Sequence, residues 1–136
     1  MGHVAFAHPF CGALSDIAFA SAARAGAAQV KALDQSGEAI AAANANAAAN
    51  GVQVSVSTTP VAEVDGQFDL VFANILAPAL ISMADDLRRV TSPTGRLVLS
   101  GILADHHEHV LQALAPMVVD DRHDLGDWTA VVVRHP

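Results

Sequence analysis

The chain of 136 residues is 52% hydrophobic and carries a formal charge of −7, a length that fits one domain with a sizeable core. The acidic balance argues against a nucleic-acid surface, which needs a basic stripe, and favours attraction to a basic partner. A single cysteine excludes an internal disulfide, and the lack of a signal peptide or of an uncharged apolar run of ~20 residues predicts a cytoplasmic protein without a membrane partner.

Strand and helix patterns alternate along the chain. Short apolar or alternating runs between turn residues predict seven strands, at 3–7, 29–33, 52–57, 68–73, 96–100, 117–124 and 128–134. The segments between them predict helices over 13–25, 36–49, 78–90 and 105–114, with a turn at 92–95 before the fifth strand. Helices between the first five strands predict an α/β fold, in which a parallel sheet carries helices on both faces and a terminal strand pair closes it.

Two polar residues stand at the carboxyl ends of predicted strands, where open parallel sheets bind ligands. Asp34 ends the second strand, and its carboxylate can accept two hydrogen bonds from a ribose diol. The alternative is that Asp34 caps the helix that starts just after it. Asn74 ends the fourth strand and offers one acceptor and two donors, or else caps the helix that has Pro78 in its first turn.

Two motifs one strand apart resemble a known family. Residues 74–77 read Asn-Ile-Leu-Ala and residues 99–103 read Leu-Ser-Gly-Ile-Leu, as in the methyltransferases that modify ribosomal protein L11. The stretches 27–34, 46–52 and 126–128 extend the resemblance over nearly the whole chain. It implies a Rossmann-like class I methyltransferase fold, with a seven-stranded, mostly parallel sheet and an antiparallel last strand. It also implies S-adenosylmethionine as cofactor and a basic protein, such as a ribosomal protein, as substrate.

In this family the Asn-Ile-Leu-Ala turn holds the acceptor amine. The resemblance therefore implies that the Asn74 side-chain carbonyl and the Ile75 backbone carbonyl accept the protons of a neutral amine and aim its lone pair at the methyl group. Asn74 would also border the cofactor, and Asp34 would bind the ribose of the cofactor. Ser100 and Gly101 lie beside Asn74, where Gly101 would let the acceptor chain pass or where the pair forms an ordinary turn.

The glycine loop after the first strand departs from the family pattern Asp-x-Gly-x-Gly-x-Gly. Residues 8–14 read His-Pro-Phe-Cys-Gly-Ala-Leu, so His8 replaces the acid, Gly12 remains and Leu14 replaces another glycine. We expect His8 and Gly12 to contact the cofactor, although His8 could instead bind only backbone. The lost glycines predict weak or absent cofactor binding. Two hypotheses follow: a protein amine methyltransferase, or a non-catalytic binding or assembly module with the same fold.

Residues 1–136 are predicted to form a single methyltransferase-like domain. The N-terminal substrate-recruiting domain and the leading helix that the resemblance implies are not in the sequence. We therefore expect either a catalytic domain alone or a stand-alone relative, and a homodimer is one way to cover the open face.

A histidine-rich run at 105–109, Asp-His-His-Glu-His, invites a metal site because His106 and His109 share one face of a helix. A distant third ligand is not evident in the sequence. We therefore predict a solvated helix start and no metal.

Overall fold

The structure, a computed structural model, describes residues 3–8 and 21–136. The strands of its sheet are β1 (His3–His8), β2 (Gln29–Asp34), β3 (Ser55–Ser57), β4 (Phe68–Asn74), β5 (Thr91–Leu103), β6 (Val118–Leu125) and β7 (Trp128–Arg134). The α-helices that lie wholly within the described residues are α1 (Gly37–Ala49), α2 (Ala77–Ser82), α3 (Ala84–Val90) and α4 (His107–Ala113). Residues 21–24 are also helical, in agreement with the end of the predicted helix over 13–25.

The strand order is β3-β2-β1-β4-β5-β7-β6. Strands β1 to β5 pair in parallel, whereas β7 runs antiparallel to both of its neighbours, β5 and β6. The chain moves outward from β1 to β3 and then returns to the other side of β1 with β4. This reversal creates a switch point between β1 and β4, and open α/β sheets bind ligands at the carboxyl ends of such strands.

Two predicted elements differ in kind from the structure, and the strand predicted over 52–57 is shorter, because only Ser55–Ser57 pair as β3. The helix predicted over 78–90 is two helices that meet at Met83, where the Ser82 hydroxyl donates to the Ala79 carbonyl at 2.8 Å and competes with the helical hydrogen bonds. The turn predicted at 92–95 lies inside β5. Its residues form a bulge, because Phe68 pairs with Thr91 while Leu70 already pairs with Arg96.

Apolar side chains fill both faces of the sheet because helices cover both faces. The larger core lies where α2, α3 and α4 pack against the sheet, and its fully buried members include Leu80, Leu87, Leu97, Leu99 and Val131. On the other face α1 contributes Ala43 and Ala47, whose small side chains pack with Val30 and Ala32 of β2.

A charge cluster joins the three strands at the antiparallel side of the sheet. Asp120 of β6 accepts from Arg96 Nε of β5 at 2.6 Å and from Arg134 Nε of β7 at 3.2 Å. The hydrogen bond from Arg96 is the main cause that lowers the pKa of the Asp120 carboxyl below its usual value.

The lowered pKa predicts a pH-dependent contribution of Asp120 to stability. Because the folded pKa lies below the unfolded one, this contribution is present above the unfolded pKa, near 3.8, and is lost as the pH falls through the folded pKa. The difference in urea midpoint between wild type and Asp120→Asn should therefore shrink between pH 6 and pH 2.5. It should also shrink in 1 M salt, because the group is exposed. A difference that stays constant with pH would contradict the ion-pair account.

Candidate functional site

Asp34 ends β2 at the carboxyl edge of the sheet, level with His8 at the end of β1. One carboxylate oxygen, Oδ1, accepts from the Ser36 backbone N–H at 2.7 Å. Ser36, and not Asp34, is the N-cap of α1, since its hydroxyl accepts from the Ala39 N–H at 3.4 Å. Asp34 is therefore not the N-cap of α1, and the capping alternative is wrong. One of its carboxylate oxygens instead accepts a hydrogen bond within the turn that precedes the cap.

A cleft of about 330 Å³ connects the end of β2 with the turn after β4. Its volume is at the lower end of the range for small-molecule sites, and apolar walls with few polar groups are typical of such sites. Asp34 is its acidic lining residue, and Ile75 also lines the cleft. The remaining lining residues come from the end of β2, the segment after β3, and the α2 region: Leu33, Gln35, Thr59, Pro60, Val61, Ala79, Ser82 and Met83.

Asn74 is buried, with 3% of its surface exposed, at the last position of β4. It pairs in register with Ser100 of β5, and the Ser100 hydroxyl donates to Asn74 Oδ1 at 2.9 Å. The other end of the amide, Nδ2, is buried without a hydrogen-bond partner among the described residues. A buried donor left without a partner is costly, and in native proteins such a group calls for an explanation.

Gly101 lies close to the side-chain amide of Asn74. Its φ is +77°, a left-handed conformation that favours glycine. A Cβ at this position would stand 3.0 Å from Asn74 Oδ1 and 3.2 Å from the Ile75 carbonyl oxygen. The backbone of β5 thus touches both groups that were predicted to hold an amine.

The capping alternative for Asn74 is wrong. The N-cap of α2 is Leu76, whose side chain makes no capping hydrogen bond, and proline occupies the first turn as predicted. Asn74 lies two residues before that cap with its amide turned toward β5. Its burial is therefore not explained by helix capping.

Two predicted cofactor contacts, His8 and Gly12, fall on the end of β1 and on the segment that follows it. Gly12 lies outside the described residues, as do Cys11 and Leu14. The backbone of His8 is placed at the end of β1 beside Asp34, at the edge where a cofactor contact was expected. The role of the His8 side chain stays a prediction.

The histidine-rich run starts the α4 region. His106 and His109 are exposed, and within residues 3–8 and 21–136 no group of three or more potential ligands could hold a metal ion. The His107 ring accepts at Nε2 from Arg122 Nη1 at 2.8 Å, and its Nδ1 faces the Ala104 carbonyl. These partners give His107 a structural role that links α4 to β6.

Sequence reasoning placed Ser100 beside Asn74 but did not predict the hydrogen bond between the two side chains. The sequence carried a sign of this contact, because polar residues that end neighbouring parallel strands at the same height lie side by side. Finding it required the β4–β5 register, which follows only after the bulge at 92–95 is placed.

The sheet order, the switch-point cleft and the strand-end acid together define the Rossmann-like class I methyltransferase fold. A crystal structure of a methyltransferase from Pyrococcus furiosus superposes with a TM-score of 0.71 over 96% of this chain and 73% of that chain, at 17% identity, which supports the fold alone. The crystal structure of the ribosomal protein L11 methylase from Lactobacillus delbrueckii subsp. bulgaricus superposes with a TM-score of 0.89 at 34% identity. It covers 99% of this chain and 71% of that chain.

Residues 11–136 match the family model of ribosomal protein L11 methyltransferase (PrmA), and the chain belongs to that family. The ribosomal protein L11 methyltransferase of Geobacter sulfurreducens is 39% identical over 125 residues, which are 89% of this chain and 41% of the relative. That of Geobacter metallireducens is 37% identical over 122 residues, again 41% of the relative. The chain thus spans about two fifths of the length of these relatives.

Among the described residues, none of the helices has the length and apolar character needed to cross a membrane.

Proposed function

We propose that this chain is the catalytic domain of an S-adenosylmethionine-dependent methyltransferase that acts on protein amino groups. The observation that carries the proposal is the cleft that joins Asp34 at the end of β2 to Ile75, the residue that follows the buried Asn74. A donor site and an acceptor site would thus share one edge of the sheet. Residues 1–136 would act as one methyltransferase-like domain, in line with a single sheet through all the described strands.

The residues present fit the adenosine part of the cofactor. A cleft of about 330 Å³ with mostly apolar walls suits a planar base. Asp34 would accept the ribose hydroxyls, and because Oδ1 already binds the Ser36 N–H, Oδ2 would take the larger share. His8 and Gly12 would contact the cofactor from the β1 side. The bound cofactor would supply a methyl group on a positively charged sulfur.

The protein would contribute positioning. A neutral amine attacks with its lone pair, so the chain must accept the amine's N–H groups and hold the nitrogen in line with the methyl group. The Asn74 side chain and the Ile75 carbonyl are the acceptors we assign to this task. They lie next to each other, and Gly101 passes so close to both that a side chain at that position would crowd them.

The proposed substrate is a basic protein, and ribosomal protein L11 is the first to try, because the relatives are named for it. The charge of −7 supports a basic protein partner over a nucleic acid, and a cytoplasmic location would bring enzyme and ribosomal protein together. A homodimer stays a prediction that light scattering can test.

Replacing Asp34 tests the cofactor site. Asp34→Ala should weaken binding of S-adenosylhomocysteine, measured by calorimetry, by roughly 1.5–3 kcal/mol, because the ribose loses a charge-assisted acceptor. Asp34→Asn should also weaken binding. It retains an oxygen for the Ser36 N–H, however, and so should leave the free energy of unfolding nearly unchanged.

The matched control is Glu38→Gln, which removes an exposed acid from the first turn of α1 and does not line the cleft. It should bind like wild type. Equal affinity of wild type and both Asp34 variants would show that the cofactor lies elsewhere. No binding by wild type at millimolar ligand would favour the non-catalytic module with an impaired cofactor site.

A further inference from the structure

Asn74 and Ser100 form a matched pair at the carboxyl ends of β4 and β5. Their Cα atoms are register partners, and their side chains meet through one hydrogen bond of 2.9 Å. The amide is held at Oδ1 only, since Nδ2 is buried without a partner in the part of the chain that the structure describes.

We propose that Ser100 is a positioning residue that sets the orientation of the Asn74 amide for the acceptor amine; the inference rests on the proposed methyl transfer. A serine hydroxyl both donates and accepts, so it can hold a planar amide in two orientations related by a rotation of 180°. In the observed orientation Ser100 donates to Oδ1. In the other, Ser100 would accept from Nδ2, and Oδ1 would take the present position of Nδ2, where we place the acceptor amine.

An incoming neutral amine selects the second orientation because its N–H groups need an acceptor. Both ends of the amide then have partners: Nδ2 donates to Ser100 and Oδ1 accepts from the amine. The buried donor that lacks a described partner in the free protein gains one when the amine binds. Ser100 takes up no proton and touches no reacting atom, so it acts only through Asn74.

Ser100→Ala should lower the single-turnover rate of methyl transfer to ribosomal protein L11 about 10-fold, which is about 1.4 kcal/mol. Affinity for S-adenosylhomocysteine should not change. Ser100→Thr keeps the hydroxyl and should stay within about 2-fold of wild type. Ser92→Ala is the matched control, because Ser92 bonds Asp69 at the opposite end of β5. The double variant with Asn74→Ala should be no slower than Asn74→Ala alone, since Ser100 has no other target.

A second readout needs no turnover. The two side-chain N–H resonances of Asn74 in ¹⁵N-labelled protein should move toward those of exposed asparagines in Ser100→Ala and keep their positions in Ser100→Thr. In the complex with S-adenosylhomocysteine and ribosomal protein L11 they should shift in wild type as the amide turns.

The outcomes separate this inference from the proposed function. A wild type that binds no cofactor or transfers no methyl group overturns the proposed function, and the resonances of the free protein still test the Ser100 anchor. An active wild type whose rate is unaffected by Ser100→Ala overturns the positioning role. The positioning role is also overturned if the rate losses of the two single variants multiply in the double variant. It is likewise overturned if the Asn74 resonances are unchanged in free Ser100→Ala.

Discussion

Asn74→Ala is expected to slow methyl transfer by roughly 100-fold, or about 2.7 kcal/mol, because the acceptor amine loses a side chain that orients its lone pair. The affinity for S-adenosylhomocysteine should stay within a few-fold of wild type, since the cleft wall from Asp34 to Ile75 does not include Asn74. The measurement is single-turnover transfer of a labelled methyl group to ribosomal protein L11, with affinity taken from calorimetry.

Folding of this variant should be preserved, which makes the kinetic result interpretable. The substitution removes the hydrogen bond from Ser100 but also removes the buried Nδ2 that lacks a partner among the described residues. These opposing effects should keep the change in free energy of unfolding below about 2 kcal/mol. A variant that transfers at the wild-type rate would remove Asn74 from the proposed site, and a variant that unfolds would make its role structural.

Gly101→Ala is expected to destabilise the fold by about 2 to 5 kcal/mol and to abolish transfer. The left-handed φ of +77° costs a non-glycine residue about 1–2 kcal/mol. The added methyl group would also stand 3.0 Å from Asn74 Oδ1 and 3.2 Å from the Ile75 oxygen. Overpacking of this kind costs about 1–3 kcal/mol more, and any relief must move the Asn74–Ile75 turn.

Gly66→Ala separates the cost of the left-handed φ from the cost of the close approach to the Asn74–Ile75 turn. Gly66 has a φ of +89°, yet no described atom lies within 4 Å of its Cβ position, so it carries the conformational cost without the close approach. In urea denaturation Gly66→Ala should be destabilised by only about 1–2 kcal/mol. If the two variants lose equal stability and Gly101→Ala stays active, the contact of Gly101 with the site has no consequence.

Sequence reasoning led to the edge of the sheet where we propose that ligands bind, because strand ends there carry polar residues after apolar runs. Asp34 and Asn74 are the last residues of the observed strands β2 and β4, one residue beyond the ranges predicted for those strands. Their partners were harder to predict, because Asp34 and Asn74 both precede predicted helices and were therefore also candidates for helix N-caps. The structure excludes both as N-caps, since the Ser36 hydroxyl caps the helix after β2 while the Asn74 amide faces a neighbouring strand.

The turn predicted at 92–95 was wrong, because the pairing of β5 with β4 overrides the local preference of these residues for a turn. Residues 92–95 carry serine, proline and glycine, which favour a turn, but the pairing of β5 with β4 absorbs them as a bulge. Gly95 fits there because a Cβ would stand 2.9 Å from the Phe68 carbonyl oxygen. The same bulge sets the register that brings Ser100 opposite Asn74.

The sequence by itself determined the alternation of strands and helices, the strand-end acid and amide, and the family motifs, because each depends on residues close together in the chain. Only the tertiary structure decided that Ser100 holds Asn74, that Gly101 packs on Ile75, and that a cleft joins Asp34 to the turn after β4. These contacts depend on strand order and register, which are fixed by packing between residues far apart in sequence and not by the local preferences of any segment.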